Sequence, residues 1–287
     1  MKKLVQRLLL FIIGVPLIAA LVLFLPFYRH LLLNIIITIF SAMGALEFSA
    51  MLAKKQLFIP RPLAFVLGAL APAAQTLVLC INCPQWTIPL VLMAGGCWVL
   101  LSRVFSSAQK LEAVAGYIAA GFSVLIYPGL FMLWLVAMSA WENSSIIILV
   151  FLLVSMGSDS AAWAAGMLFG KGNRGIIPAS PNKSVAGFVG GAAGSIIVSC
   201  GAALIVPYVF VSRFAAIPAL CAVVILGLCT GAAAALGDLA ESAIKRSCGF
   251  KDSGNIMLGR GGVLDSIDSI AVASPVFYLL FTVLFIN

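Results

Sequence analysis

Charge is what this chain has least of. Only 9% of its 287 residues are charged, with nine acids, 17 lysines and arginines, and a single histidine. A water-soluble domain carries roughly a quarter of its residues as charges, so a water-facing exterior is excluded for most of the chain. With no soluble domain to present a basic surface, nucleic acid is excluded as a partner although the net charge is +8. Cysteine is not absent, but Cys80 and Cys83 have no second Cys pair and no His nearby. That removes a zinc site and leaves loop-end thiols, or a disulfide if their loop faces an oxidising space.

What is present is apolar: 63% hydrophobic residues and a mean hydropathy of +1.18. Runs of about 18 or more apolar residues, the length that crosses a bilayer, fall near 8–27, 31–52, 62–81, 87–104, 114–138, 145–169, 185–207, 216–240 and 269–286. The expectation is an all-α, polytopic membrane protein of about nine transmembrane helices, the fifth bent at Pro128. No small-residue cleavage site follows the first run, which reads as a retained helix.

Basic residues then orient the spans, since Lys and Arg collect in cytoplasmic loops. With the N-terminus inside, one side receives Lys2, Lys3, Arg7, Lys54, Lys55, Arg61, Arg103, Lys110, Lys171, Arg174, Lys183, Lys245, Arg246, Lys251 and Arg260; the other receives Arg29 and Arg213. The expected location is the cytoplasmic or inner membrane, multi-pass, with the 241–268 loop facing the cytoplasm. Anionic membrane lipid is an expected partner of that basic face.

Residues 1–140 read mainly as scaffold and 141–287 as the region that carries chemistry. In the first, Glu47 is either an intramembrane functional acid or an interfacial one near Lys54 and Lys55, and His30 reads as a wet interfacial residue. Trp86, Trp98 and Trp141 suit interfacial anchoring. In the second, small residues rise, with pairs Gly166/Gly170, Gly187/Gly191, Gly190/Gly194 and Gly227/Gly231 at the spacing that lets membrane helices approach closely. Asp159 lies within the sixth span and should face a polar cavity or a basic partner.

Five of the nine acids stand between Gly237 and Asp268. Asp238 and Glu241, and again Asp265 and Asp268, are spaced i,i+3, so each pair shares a helical face. Between them come Lys245, Arg246, Lys251 and Arg260, with Gly259, Gly261 and Gly262 able to form an anion-binding concavity of backbone N–H groups. Carboxylates for a hard cation, cations for phosphate and a glycine turn are the parts of a metal-assisted phosphoryl or nucleotidyl transfer site.

This stretch resembles the signature of the phosphatidate cytidylyltransferases (CDP-diacylglycerol synthases). Ser242, Ile244, Lys245, Arg246, Lys251, Asp252, Ser253, Gly254, Gly261, Gly262, Val263, Asp265, Ile267 and Asp268 fall in its register. Met257, Leu258, Arg260 and Ser266 depart from it, Arg260 standing where the family has His and Ser266 where it has Arg. A second block, Ser180-Pro-Asn-Lys183-Ser184 with Gly187, is similar to another family motif but has Ala186 in place of an acid. The resemblance implies transfer of CMP from CTP to phosphatidate, with Mg²⁺ as cofactor. It implies Asp238, Asp265 and Asp268 as metal ligands and catalytic residues together with Lys245 and Arg246. Ser180, Lys183, Ser242, Lys251, Asp252, Arg260, Gly261 and Gly262 are implied as substrate contacts.

Three other readings remain open at this point. The acids and bases could be structural, Glu241 pairing with Lys245 at i,i+4 and Asp265 and Asp268 favoured at a helix N-terminus. A polytopic transporter predicts an internal repeat, which the bulky first half and small-residue second half do not show. A related enzyme could use another lipid phosphate. The oligomeric state is open, a homodimer included.

Overall fold

The computed structural model describes residues 10–105, 107, 111–214, 217–257 and 259–286. Lys2, Lys3, Arg7, Lys110, Leu258 and the start of the first expected span lie outside the described residues. Among those described there are nine helices and no strands: α1 Val15–Phe24, α2 Phe27–Ala53, α3 Arg61–Ile81, α4 Thr87–Leu101, α5 Val114–Ala140, α6 Ser144–Phe169, α7 Val185–Ile205, α8 Ala219–Ser247 and α9 Leu264–Phe285. Seven are long and apolar enough to cross a membrane; α1, with 10 residues, and α4, with 15, are not. At 1.5 Å per residue α4 reaches about 22 Å, short of a hydrocarbon layer of about 30 Å, while α1 continues a π-helical turn, Leu10–Gly14, whose approach lies outside the described residues. The protein is an all-α polytopic membrane protein, with seven helices of spanning length among the described residues.

Two of the boundaries that move lie at the candidate site. Helix α8 runs past residue 240 to Ser247 because Ala240-Glu-Ser-Ala-Ile-Lys-Arg246 are mostly residues that tolerate helix well. It stops before Gly249, whose φ of +76° is the left-handed conformation that glycine adopts after a helix end. Helix α9 starts at Leu264, ahead of the apolar run, so Asp265 and Asp268 are both helical.

The chain divides into two compact units, one made of the residues up to Ala140 with Lys245–Ile267, the other of Trp141–Ile244 with Asp268–Asn287. The signature loop therefore belongs with the N-terminal helices, which thus carry part of the candidate site as well as a scaffold.

In the first unit, close packing of α2, α3 and α5 depends on small residues. A Cβ on Gly68 would strike Ala45 and the Ser41 backbone, and Ser41 Oγ has the Gly68 and Pro128 carbonyls within hydrogen-bond reach. Pro128 lies in a π-helical stretch, Leu125–Leu130, which is how α5 accommodates a residue that cannot donate to the helix ladder. His30 is fully buried rather than wet. It ends a left-handed turn, Tyr28–His30, that folds Arg29 back so that Asn34 Nδ2 donates to Arg29 O at 2.9 Å.

The second unit is packed through glycine. Gly190 faces Ala165, Gly194 faces Ala161, and a Cβ on Gly187 would lie 3.8 Å from the Gly166 Cα and 3.0 Å from the Ala162 carbonyl, so α6 and α7 run nearly backbone to backbone. Gly227 and Gly231 of α8 face Ser199 and Ser195 in the same way. Trp141 does not stand free at an interface: it stacks on Tyr278 and Phe281, at 4.6 and 5.2 Å between ring centroids.

Candidate active site

The signature loop folds around one carboxylate. Asp265 Oδ2 accepts from the backbone N–H groups of Ser253 at 2.8 Å and Gly262 at 2.7 Å, and lies 3.0 Å from the Ser253 hydroxyl. Asp265 Oδ1 takes the ammonium of Lys245. A carboxylate offers about four lone-pair positions, and here four donor groups address them. The glycines in this loop are required by space and backbone. Gly261 has φ of +114°, and its mutual backbone bonds with Met257 close the 257–261 turn. A Cβ on Gly262 would overlap the Ser253 hydroxyl and the Glu47 carboxylate.

That last neighbour is the residue sequence reasoning left undecided. Glu47, on α2, is buried, and its Oε1 accepts from Val263 N–H at 3.0 Å. Its Oε2 accepts from Leu264 N–H at 2.8 Å and lies 2.9 Å from Ser253 Oγ. The partners are more than 200 residues away in sequence, so no local spacing announces them. The one available signal was an acid in an apolar helix. Lys54 and Lys55, its expected interfacial neighbours, are exposed.

With Asp265, Ser253, Gly262 and Lys245 engaged inside the loop, other signature residues remain at its surface. Arg246, Lys251, Asp252 and Arg260 are exposed, and Arg246 donates to the Phe250 carbonyl at 3.3 Å. Ser266 donates to Gly262 O at 3.1 Å, so the position where the family pattern has Arg here braces the start of α9.

The second unit holds the remaining candidates. Lys183 Nζ lies 2.8 Å from Asp238 Oδ2, and Ser242 Oγ is 3.4 Å from Asp238 Oδ1. Lys183 is set by the 170–184 loop, in which Ser180 N–H bonds Ile177 O and Lys183 N–H bonds Ser180 O. Ser184 caps α7 by accepting from Gly187 N–H at 3.0 Å. Arg174 donates to Gly166 O, while Lys171 is exposed. Asp268 is buried and accepts from Ser269 N–H at 2.6 Å. A Cβ on Gly237 would meet the Asp268 backbone oxygen, so α8 and α9 run close at the Asp238 level. Asp159 is half-buried.

Within each unit, among the described residues, no three His, Cys, Asp or Glu side chains gather as a metal cage. Mg²⁺ needs less than that: one or two carboxylates with water and substrate phosphates suffice. Asp238 and Asp268, oxygen donors on adjacent stretches of the second unit, fit that requirement. Asp265, engaged with four donor groups, fits it only if Lys245 lets go.

Comparison with known proteins points the same way. The profile of the Cytidylyltransferase family matches residues 5–284. Over 188 residues the chain is 35% identical to a phosphatidate cytidylyltransferase of Brucella suis, covering 65% of this chain and 63% of that protein. It is 33% identical over 194 residues to the phosphatidate cytidylyltransferase of Haemophilus influenzae, 64% of this chain and 59% of that one. A Mycobacterium bovis protein of the same name is 35% identical over 144 residues, half of this chain and 44% of its own length. The matches thus span less than two thirds of the length of these curated relatives. The family profile, by contrast, runs almost from end to end, and the chain belongs to the cytidylyltransferase family.

Proposed function

We propose that this chain is a CTP-dependent phosphatidate cytidylyltransferase, forming CDP-diacylglycerol and pyrophosphate at a cytoplasm-facing site in the cytoplasmic or inner membrane. The observation that carries the reading is the division of labour in the signature loop. Asp265, Lys245, Ser253 and Gly262 hold the loop together, which leaves Arg246, Lys251 and Arg260 as exposed cations. Such a loop suits a polyphosphate.

A phosphatidate oxygen attacks the α-phosphorus of CTP; the new P–O bond forms as the bond to the β-phosphate bridging oxygen breaks, and the electron pair leaves on pyrophosphate. The nucleophile is already ionised, so no strong general base is needed. The difficulty is bringing two polyanions together, and catalysis of this kind is mostly positioning and charge neutralisation. In the first unit the loop cations Arg246, Lys251 and Arg260 suit phosphate oxygens; in the second unit, taken by itself, Lys183 suits a phosphate oxygen and Ser180 and Ser242 offer hydrogen bonds. Exposed Asp252 lies beside Gly261, where an added Cβ would come within 3.0 Å of the Asp252 Cβ. Asp238 and Asp268 would hold Mg²⁺, which supplies neutralisation of the leaving pyrophosphate. Lys245 holds Asp265 in place.

The test is direct. Purified protein in detergent, given phosphatidate and labelled CTP with and without Mg²⁺, should form CDP-lipid and pyrophosphate in equal amounts only with the metal. CTP consumption without a CDP-lipid product would overturn the assignment.

A further inference from the structure

We propose that Glu47 is a positioning residue for this transfer, a buried carboxylate in an N-terminal helix that fixes the signature loop and, through one serine hydroxyl, the Asp265–Lys245 pair. The inference rests on the function proposed above and deepens it. It begins with an energetic oddity: a carboxylate on an apolar helix is costly to bury, yet Glu47 is 8% exposed. Its burial is offset by three donors, Val263 N–H, Leu264 N–H and the Ser253 hydroxyl. The two backbone donors stand where α9 begins, where unsatisfied N–H groups and the helix dipole favour an anion.

The Ser253 hydroxyl is the link. It lies 2.9 Å from Glu47 Oε2 and 3.0 Å from Asp265 Oδ2, and it accepts from Asp265 N–H at 3.2 Å. One hydroxyl proton serves two carboxylates, so whichever receives it, the other is held by its remaining donors. For Glu47 these are Val263 and Leu264; for Asp265 they are Lys245, Ser253 N–H and Gly262 N–H. Two glycines make room for the arrangement, because a Cβ on Gly254 or Gly262 would overlap the Glu47 carboxylate. Glu47 thus sets both ends of the loop, Ser253 and the 262–264 turn, between which Arg260 is displayed.

Glu47→Gln tests this without a change of size. Each Glu47 oxygen faces a backbone donor, so an amide places its NH₂ against either Val263 N–H or Leu264 N–H, and in the second case the Ser253 hydroxyl must give its proton to Asp265 to accept from it. Hydrogen exchange should show the amides of residues 253 and 262–264 losing protection while α3 keeps its own. Per folded molecule, kcat for CDP-lipid formation should fall about a hundredfold, the usual cost of a misplaced reacting group, and KM for CTP should rise. A merely structural role would lower the folded yield and leave kcat and KM of the folded fraction unchanged, and that outcome overturns the proposal. If Glu47→Gln does not fold, Ser253→Ala cuts the link alone and should cost about tenfold in kcat, the worth of one hydrogen bond to a charged group; no loss there overturns it as well. A wild-type protein that forms no CDP-lipid, yet loses loop protection on Glu47→Gln, would sink the proposed function and leave the anchoring in place.

Discussion

Lys183 Nζ sits 2.8 Å from Asp238 Oδ2, joining the basic loop after α6 to α8 within one unit. The two side chains are 24% and 35% exposed, and ion pairs of that kind contribute at most about 1 kcal/mol. Its importance is chemical: a carboxylate fit for Mg²⁺ and an ammonium fit for phosphate neutralise each other. Lys183→Met should therefore move the melting temperature little and lower CDP-lipid formation by about tenfold or more, the loss of one charged contact. Removing the competing ammonium should also tighten Mg²⁺ binding measured by calorimetry without CTP. Unchanged turnover and unchanged metal affinity would reduce Lys183 to a topology charge.

Asp265→Asn separates holding the loop from holding a metal. The Asp265 and Lys245 side chains are 7% and 11% exposed, and the substitution removes the carboxylate charge that the Lys245 ammonium bonds. Breaking such a pair costs about 3 kcal/mol or more. The variant should melt well below the parent in detergent, with or without Mg²⁺. A parental melting curve with lost metal affinity would show that Asp265 is a metal ligand first.

Gly262→Ala should be one of the most damaging single-methyl changes in the protein. The added Cβ overlaps Ser253 Oγ and a Glu47 oxygen, both buried and hydrogen-bonded to each other, and forced overpacking costs about 1–3 kcal/mol. Gly201→Ala on α7 meets nothing within 4 Å and is the matched control. Thermal unfolding of the two variants should differ by that margin, and equal melting would mean that the loop yields freely.

Orientation follows from labelling. Asn255 is exposed in the loop, whereas Ser253 is buried, so Asn255→Cys in a cysteine-free background is the suitable probe. Lys and Arg distribution predicts reaction with a membrane-impermeant thiol reagent only after the cytoplasmic side is opened. Reaction from the outside of intact cells would invert the topology and remove the site's access to CTP.

What the sequence made legible follows from where its signals were local. Hydropathy located all nine helices because apolar length is a property of a contiguous run, and it erred at Ser247 and Leu264 because those ends are polar residues held by the loop. The spacing of Asp265 and Asp268 predicted a shared helix, which α9 provides, but not that the two residues fall in different compact units. Glu47 was out of reach because its partners are Ser253, Val263 and Leu264. His30 misled for the complementary reason: adjacency to Arg29 suggested water, whereas a left-handed turn buries it.

Asp238→Asn offers the cleanest trial of the metal assignment. Asp238 is a partly exposed acid that contacts Lys183 and, more distantly, Ser242. Loss of its charge should therefore leave the fold intact, unlike Asp265→Asn. Asn keeps the size and one acceptor oxygen but not the negative charge that neutralises a divalent ion. If Asp238 holds Mg²⁺, turnover should fall on the order of a hundredfold, equivalent to about 3 kcal/mol of transition-state stabilisation. Raised Mg²⁺ should recover part of the loss, because weakened occupancy responds to concentration whereas lost geometry does not. Asp268→Asn should behave alike in the metal titration, with some loss of stability added because the residue is buried. Parental turnover across the whole Mg²⁺ range in the Asp238 variant would mean that the carboxylate serves only to hold Lys183, and the metal would have to be sought elsewhere.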